Sequence, residues 1–192
     1  MQRKIILASQ SPRRKQLLEQ LGLEFEIRKS EYEEDMAAME NPYELAKFLA
    51  LGKAQDVAKH YKDAIAIGAD TFVMFQGKFI GKPKNEKDAK ETLRKFSGIE
   101  HEIVTGFAII DTKSGRIVND YGEARVRFRN LTDEEINDYV ATGEPLGMAG
   151  SYGLMNKAAG LIDSIDGDFY SIIGLPLNKI FVELRKMGVK IF

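Results

Sequence analysis

Two long runs with strand character, Glu102 to Asp111 and Arg116 to Phe128, are separated only by a turn around Lys113-Ser114-Gly115. A connection this short joins antiparallel neighbours, because parallel strands need a crossover of a dozen or more residues. Along the rest of the chain, strand and helix periods alternate. The two patterns together predict an α/β fold with a mixed sheet and argue against a fully parallel, doubly wound one. We expect a long twisted mixed sheet flanked by helices, as two lobes with a central cleft, in a single domain over residues 1–192.

The helices are punctuated by capping residues. Ile5-Ile6-Leu7-Ala8 reads as a strand leading into Ser9-Gln10-Ser11-Pro12-Arg13-Arg14. Ser11 suits the N-cap and Pro12 the first helical position. Leu17, Leu18 and Leu21 give an apolar stripe, and Gly22 a stop. Asn41-Pro42 opens a second helix running to about Tyr61, and Asn85 caps a third. Thr132-Asp133-Glu134-Glu135 is a capping box, and Pro176 opens the last helix. Ala64 to Ala69 reads as one strand and Phe72 to Phe75 as a second. Gln76-Gly77 turns into Lys78-Phe79-Ile80, and Leu161 to Ile165 is a further strand.

Arg13 and Arg14 sit in the first turn of a helix, whose N-terminus already carries partial positive charge. Each cation is misplaced there by about 0.3–1 kcal/mol. Pairing with surface carboxylates would relieve the conflict, and so would a docked polyanion held by backbone N–H groups, guanidinium forks and the hydroxyls of Ser9 and Ser11.

Composition narrows the chemistry. Lys+Arg (28) and Asp+Glu (29) leave a formal charge of −1, which argues against binding nucleic acid through net charge but allows a small anion on a local basic cluster. There are no cysteines, so disulfides, thiolate catalysis and Cys-ligated zinc are excluded. The two histidines, His60 and His101, have no ligand spacing and read as structural. No apolar stretch reaches membrane-spanning length, and the N-terminus lacks a signal-peptide core, so no membrane partner and a cytosolic location are expected.

Asp70 is the leading catalytic candidate. It follows Ile65-Ala66-Ile67-Gly68-Ala69, and a carboxylate in an apolar run needs a partner or a metal. We expect it at a strand end. Glu31, Glu33, Glu34 and Asp35 form an acidic cluster; one of them with Asp70 could hold a hard divalent cation, although such clusters are commonly solvated loops. Lys82 stands in Gly81-Lys82-Pro83, and Lys53 follows Gly52 within the second helix. Neither belongs to a P-loop. Residues 143–153 and 167–177 are glycine-rich and suit close backbone approach to a ligand.

Taken in order, these segments resemble the Maf family of nucleoside triphosphate pyrophosphatases, of inosine-triphosphatase-like fold. The resemblance rests on Leu7 to Arg14, Gly68-Ala69-Asp70-Thr71, Gly81-Lys82-Pro83, Thr105-Gly106, Gly143-Glu144-Pro145, Ala149 to Gly153, and Gly167-Asp168-Phe169-Tyr170 with Gly174-Leu175-Pro176-Leu177. It implies metal-dependent hydrolysis (Mg²⁺ or Mn²⁺) of a nucleoside triphosphate to monophosphate and pyrophosphate. Asp70 would activate water and share the metal with Glu34, Glu33 being one register away. Ser9, Ser11, Arg13, Arg14, Lys53 and Lys82 would surround the phosphates. Arg13 and Thr71 match the dTTP/UTP-preferring pattern, but Met155 stands where that pattern has Gln, and Met148 where Lys is usual. A 7-methyl-GTP-type substrate, or a nucleotide-binding regulator of septum formation with little turnover, is the alternative reading. A homodimer is compatible with the resemblance.

Overall fold

The computed structural model of the chain describes residues 3–192. Its seven strands form one mixed sheet. β1 (Ile5–Leu7) pairs in parallel with β2 (Glu26–Ile27) on one side and with β3 (Ile65–Phe75) on the other. β3 also pairs antiparallel with β4 (Lys78–Ile80). Beyond β3 come β5 (Glu100–Asp111), β6 (Ile117–Phe128) and β7 (Ile162–Gly167), the last antiparallel to β6. The helices are α1 (Pro12–Gln20), α2 (Pro42–Ala58), α3 (Glu86–Phe96), α4 (Asp133–Ala141), α5 (Phe169–Ile173) and α6 (Leu177–Lys186). No described helix is long and apolar enough to cross a membrane.

The expected caps are in place. Ser11 accepts from the Arg14 amide, Asn41 from those of Tyr43 and Glu44, and Asn85 from Asp88. Thr132 and Glu135 form a complete capping box. The β5–β6 connection is the expected tight turn, clasped by Asp111. Its carboxylate accepts from the Lys113 amide at 3.0 Å and the Ser114 hydroxyl at 2.7 Å, and pairs with Arg3.

Two compact units make up the chain. The first comprises residues 1–71, 104–122 and 174–192. Its core includes Ile6, Ala54, Val57, Ala66, Ala108 and Ile110, so α2 covers one face of β1, β3 and β5. Small residues allow the close approach. A Cβ on Gly68 would lie 2.4 Å from the Ala50 carbonyl oxygen, and one on Gly106 would lie 2.2 Å from that of Ala46. α6 is tied to the turn before β6 by the Arg116–Glu183 ion pair and to β6 itself by Lys179–Asp120.

The second unit comprises residues 72–103 and 123–173. Its core gathers Leu93 and Phe96 of α3, Ile136, Tyr139 and Val140 of α4, Val126 and Phe128 of β6, and Tyr152. His101 is buried here, stacked on Phe96 with ring centroids 4.0 Å apart, and its Nε2 lies 2.8 Å from the Tyr152 hydroxyl. Burial lowers its pKa to about 3, so it is a neutral core residue. Between α4 and β7 the chain makes three short 3-10 turns, which sequence periodicity does not signal.

One expectation is corrected. Residues 65–75 form a single strand, not two, so Asp70 lies within β3 rather than at a strand end. The reason is a change of partner. The ladder to β1 reaches Ile67, and the ladder to β4 begins at Val73. Asp70 sits in the interval between them, with β5 continuing the sheet on the other edge.

Candidate active site

The first unit assembles the site. α1 begins directly after β1, so Ser9 and Ser11 stand at its start and Arg13 and Arg14 in its first turn, which contains no acidic residue. Among the described residues, neither arginine makes an ion-pair contact with a carboxylate. Arg14 donates instead to three neutral oxygens. Nε reaches the Gly174 carbonyl at 3.0 Å, Nη1 the Ser9 hydroxyl at 3.2 Å and Nη2 the Thr71 hydroxyl at 3.1 Å. Burial lowers its pKa, and neighbouring Arg13 adds to that. Thr71 Oγ1 in turn lies 2.8 Å from Thr105 Oγ1 on β5. Arg14 therefore ties α1, β3 and the turn before α6 into one assembly. Gly174 makes room for it. Its φ is +129°, and a Cβ there would sit 3.3 Å from Arg14 Nε.

Arg13 has no hydrogen-bond or ion-pair partner among the described residues. Its half-buried cation at a helix N-terminus is left uncompensated by the protein. The conflict noted in the sequence is thus not relieved by surface carboxylates, and the first turn of α1 is suited to an anion.

The second half of the site is a carboxylate pair around Lys53. Lys53 extends from α2, its side chain 13% exposed. Its Nζ lies 3.0 Å from Asp70 Oδ1 on β3 and 2.7 Å from Glu34 Oε1 in the loop after β2. Asp70 Oδ2 is buried and has no hydrogen-bond partner. An unpaired buried carboxylate oxygen is costly in a folded protein. It marks an open coordination or proton-accepting position.

The acidic loop is docked, not simply solvated. Asp56 of α2 accepts from the Glu31 amide at 2.7 Å and the Ser30 hydroxyl at 3.0 Å. The Lys59 ammonium, with these donors, lowers the Asp56 pKa to about 2. The Tyr32 ring lies flat against Gly52, where a Cβ would come within 2.4 Å of it. Ser30, Glu31 and Tyr32 are thereby fixed on α2, and Glu34 is delivered to Lys53. Glu33 is exposed and makes no such pair.

A family model described as Maf-like protein matches residues 4–187. The chain belongs to the Maf family. A dTTP/UTP pyrophosphatase of Bacillus cereus strain AH820 is 47% identical over 189 residues, spanning 98% of both chains. One from Bacillus thuringiensis subsp. konkukian strain 97-27 has the same identity and coverage, and one from Bacillus anthracis is 46% identical. A HAM1 protein from Coxiella burnetii superposes with a TM-score of 0.49 and 15% identity, covering 95% of this chain and 98% of that one.

Of the residues expected in this Maf-family chain, Ser9, Ser11, Arg13, Arg14, Glu34, Lys53, Asp70 and Thr71 belong to the first unit. Contacts link Ser9, Ser11, Arg14 and Thr71 in one group and Lys53, Asp70 and Glu34 in another. Asp70 and Thr71 are adjacent on β3. Lys82 and Met155 belong to the second unit, and both are exposed. Met148 packs its thioether over Gly153, where a Cβ would lie 2.3 Å from the sulfur. Sequence reasoning missed Asp56, Tyr32, Thr105 and the Gly174 carbonyl as supports. The Gly52-Lys53 and Thr105-Gly106 pairs and the glycine-rich segment ending at Gly174-Leu175-Pro176 were the available hints.

Proposed function

We propose that this protein hydrolyses nucleoside triphosphates to the monophosphate and pyrophosphate, with dTTP and UTP as the expected substrates and a divalent metal as cofactor. The observation that carries this reading is the Lys53-bridged pair of Asp70 and Glu34, with one buried Asp70 oxygen unpartnered. The names of the close relatives and the uncompensated Arg13 support it.

The donor set suits the metal. No group of three or more His, Cys, Asp or Glu side chains is assembled among the described residues. Mg²⁺ is commonly bound by one or two carboxylates together with substrate phosphates, not by an all-protein cage. Asp70 and Glu34 would hold Mg²⁺ or Mn²⁺, which when bound would supply charge neutralisation at the phosphates.

The remaining roles fall to the chain's own groups. A triphosphate carries about three to four negative charges, and its hydrolysis is mainly positioning and charge compensation. Arg13 and the first turn of α1 offer N–H donors to phosphate oxygens. Arg14 holds Ser9 and Thr71 in place. Asp70 Oδ2 accepts the proton that the attacking water gives up. The water oxygen bonds to the α-phosphorus, and the bond from that phosphorus to the bridging oxygen breaks, releasing pyrophosphate.

A thioether at Met155 cannot make the paired donor and acceptor contacts of an amide. Discrimination among bases is therefore expected to be shallow. The test is a panel of dTTP, UTP, CTP, 7-methyl-GTP and modified pyrimidine triphosphates with Mg²⁺ or Mn²⁺, read as pyrophosphate and monophosphate in equal amounts. Highest kcat/KM on dTTP or UTP is expected. Tight nucleotide binding without pyrophosphate release from any member would overturn the reading in favour of a regulator.

A further inference from the structure

Lys53 lies between two carboxylates delivered by separate elements, Asp70 from β3 and Glu34 from the loop docked on α2. Two carboxylates brought this close repel unless a cation lies between them. Here that cation is the Lys53 ammonium, with oxygens of both groups within 3.0 Å. An ammonium is a compact point charge on a flexible four-carbon stem, so it can withdraw from such a position, which a bidentate guanidinium does less readily. The Lys53 ammonium donates a hydrogen bond to Asp70 Oδ1 at 3.0 Å and forms an ion pair with Glu34 Oε1 at 2.7 Å. Asp70 Oδ2, on the other side of the same carboxyl group, remains unpartnered. The pair is thus satisfied on the Lys53 side only.

We propose that Lys53 is the built-in counter-ion of the free enzyme, seated where a divalent cation would bridge Asp70 and Glu34, so that metal binding displaces its ammonium and frees it for the incoming triphosphate. This rests on the metal-dependent reading above and deepens it. The free protein keeps its carboxylates and its acidic loop in the working arrangement without metal. Metal and polyphosphate binding would then reinforce each other, because Asp70 and Glu34 would hold the metal while the freed lysine would reach the phosphates.

The consequence is that Lys53 opposes metal binding when nucleotide is absent, although it serves turnover. Lys53→Met keeps the stem and removes the charge. Titration of Mn²⁺ without nucleotide, read by electron paramagnetic resonance of the free ion, should show the full-length variant binding Mn²⁺ at least about tenfold more tightly than wild type, while its pyrophosphate release from dTTP collapses. Equal or weaker Mn²⁺ binding by the folded variant overturns the inference. A second readout needs no variant. Acylation of Lys53 by acetic anhydride, followed by peptide mapping, should speed up several-fold in wild type when Mg²⁺ is added without nucleotide; an unchanged or slower rate overturns it equally. A wild-type chain that binds no Mn²⁺, with or without a non-hydrolysable triphosphate, would refute the metal-dependent reading itself and this inference with it.

Discussion

Arg14 has the look of a phosphate ligand in the sequence, yet three of its donors are held by Gly174, Ser9 and Thr71. We propose that it positions the groups around it, with two of its five N–H donors left for phosphate. Arg14→Lys keeps the charge but cannot reproduce a planar three-way fork. Loss of the fork should cost about 1–3 kcal/mol of stability. It should also lower kcat by up to about 100-fold through misplacement of Ser9 and Thr71, with a smaller change in KM. Urea unfolding and steady-state kinetics measure the two parts. A large KM rise with unchanged kcat would show direct phosphate binding instead. Gly52 gives a contrasting case. Alanine is the better helix former by about 1 kcal/mol, but its Cβ would collide with the Tyr32 ring. Gly52→Ala should therefore leave the melting temperature within a few degrees of wild type. It should release the acidic loop and reduce turnover at least about tenfold.

Among the elements, those whose signals are local were legible. Ser11, Asn41, Asn85 and Thr132 cap helices as their side chains dictate, and the Lys113-Ser114-Gly115 turn joins β5 to β6. What escaped was set by distant partners. β3 continues through Asp70 because β5 lies alongside it, although Asp and Thr weaken the local strand pattern. Thr105 and Gly174 reach the site from β5 and from before α6, contacts that no sequence window contains. The α5 turn and the three 3-10 turns lack a period altogether. Asp111 shows how a single side chain can fix an element. Arg3, then the Ser114 hydroxyl and the Lys113 and Ser114 amides, hold its pKa well below the ordinary carboxylate range, against the opposing effect of burial. Its stabilising effect is present above the unfolded value of about 3.9 and is lost as pH falls below that. Asp111→Ala should cost about 2–4 kcal/mol at neutral pH. It should also flatten the loss of stability in acid below pH 4, as followed by denaturant titration across pH.

For the whole molecule, acid has a second target in the core of the second unit. His101 is neutral and buried there, with its pKa lowered to about 3, whereas an unfolded histidine titrates near 6.5. The unfolded chain takes up the proton first, so stability should fall as pH drops from about 6.5 towards 3. One proton gives a slope of at most about 1.4 kcal/mol per pH unit. His101→Phe should remove that slope between pH 6 and 4 in calorimetric melting; an unchanged slope would mean that other groups carry it. The residues proposed to carry the chemistry, Asp70, Glu34 and Lys53, lie in the first unit, and the test of that proposal is correspondingly direct. Pyrophosphate release from dTTP and UTP with Mg²⁺ should be measured for wild type and for Asp70→Asn, with circular dichroism confirming that both are folded. The account predicts equimolar pyrophosphate and monophosphate from wild type and a loss of about 10²–10⁴-fold or more in the variant. A folded Asp70→Asn protein that turns over near the wild-type rate would contradict it.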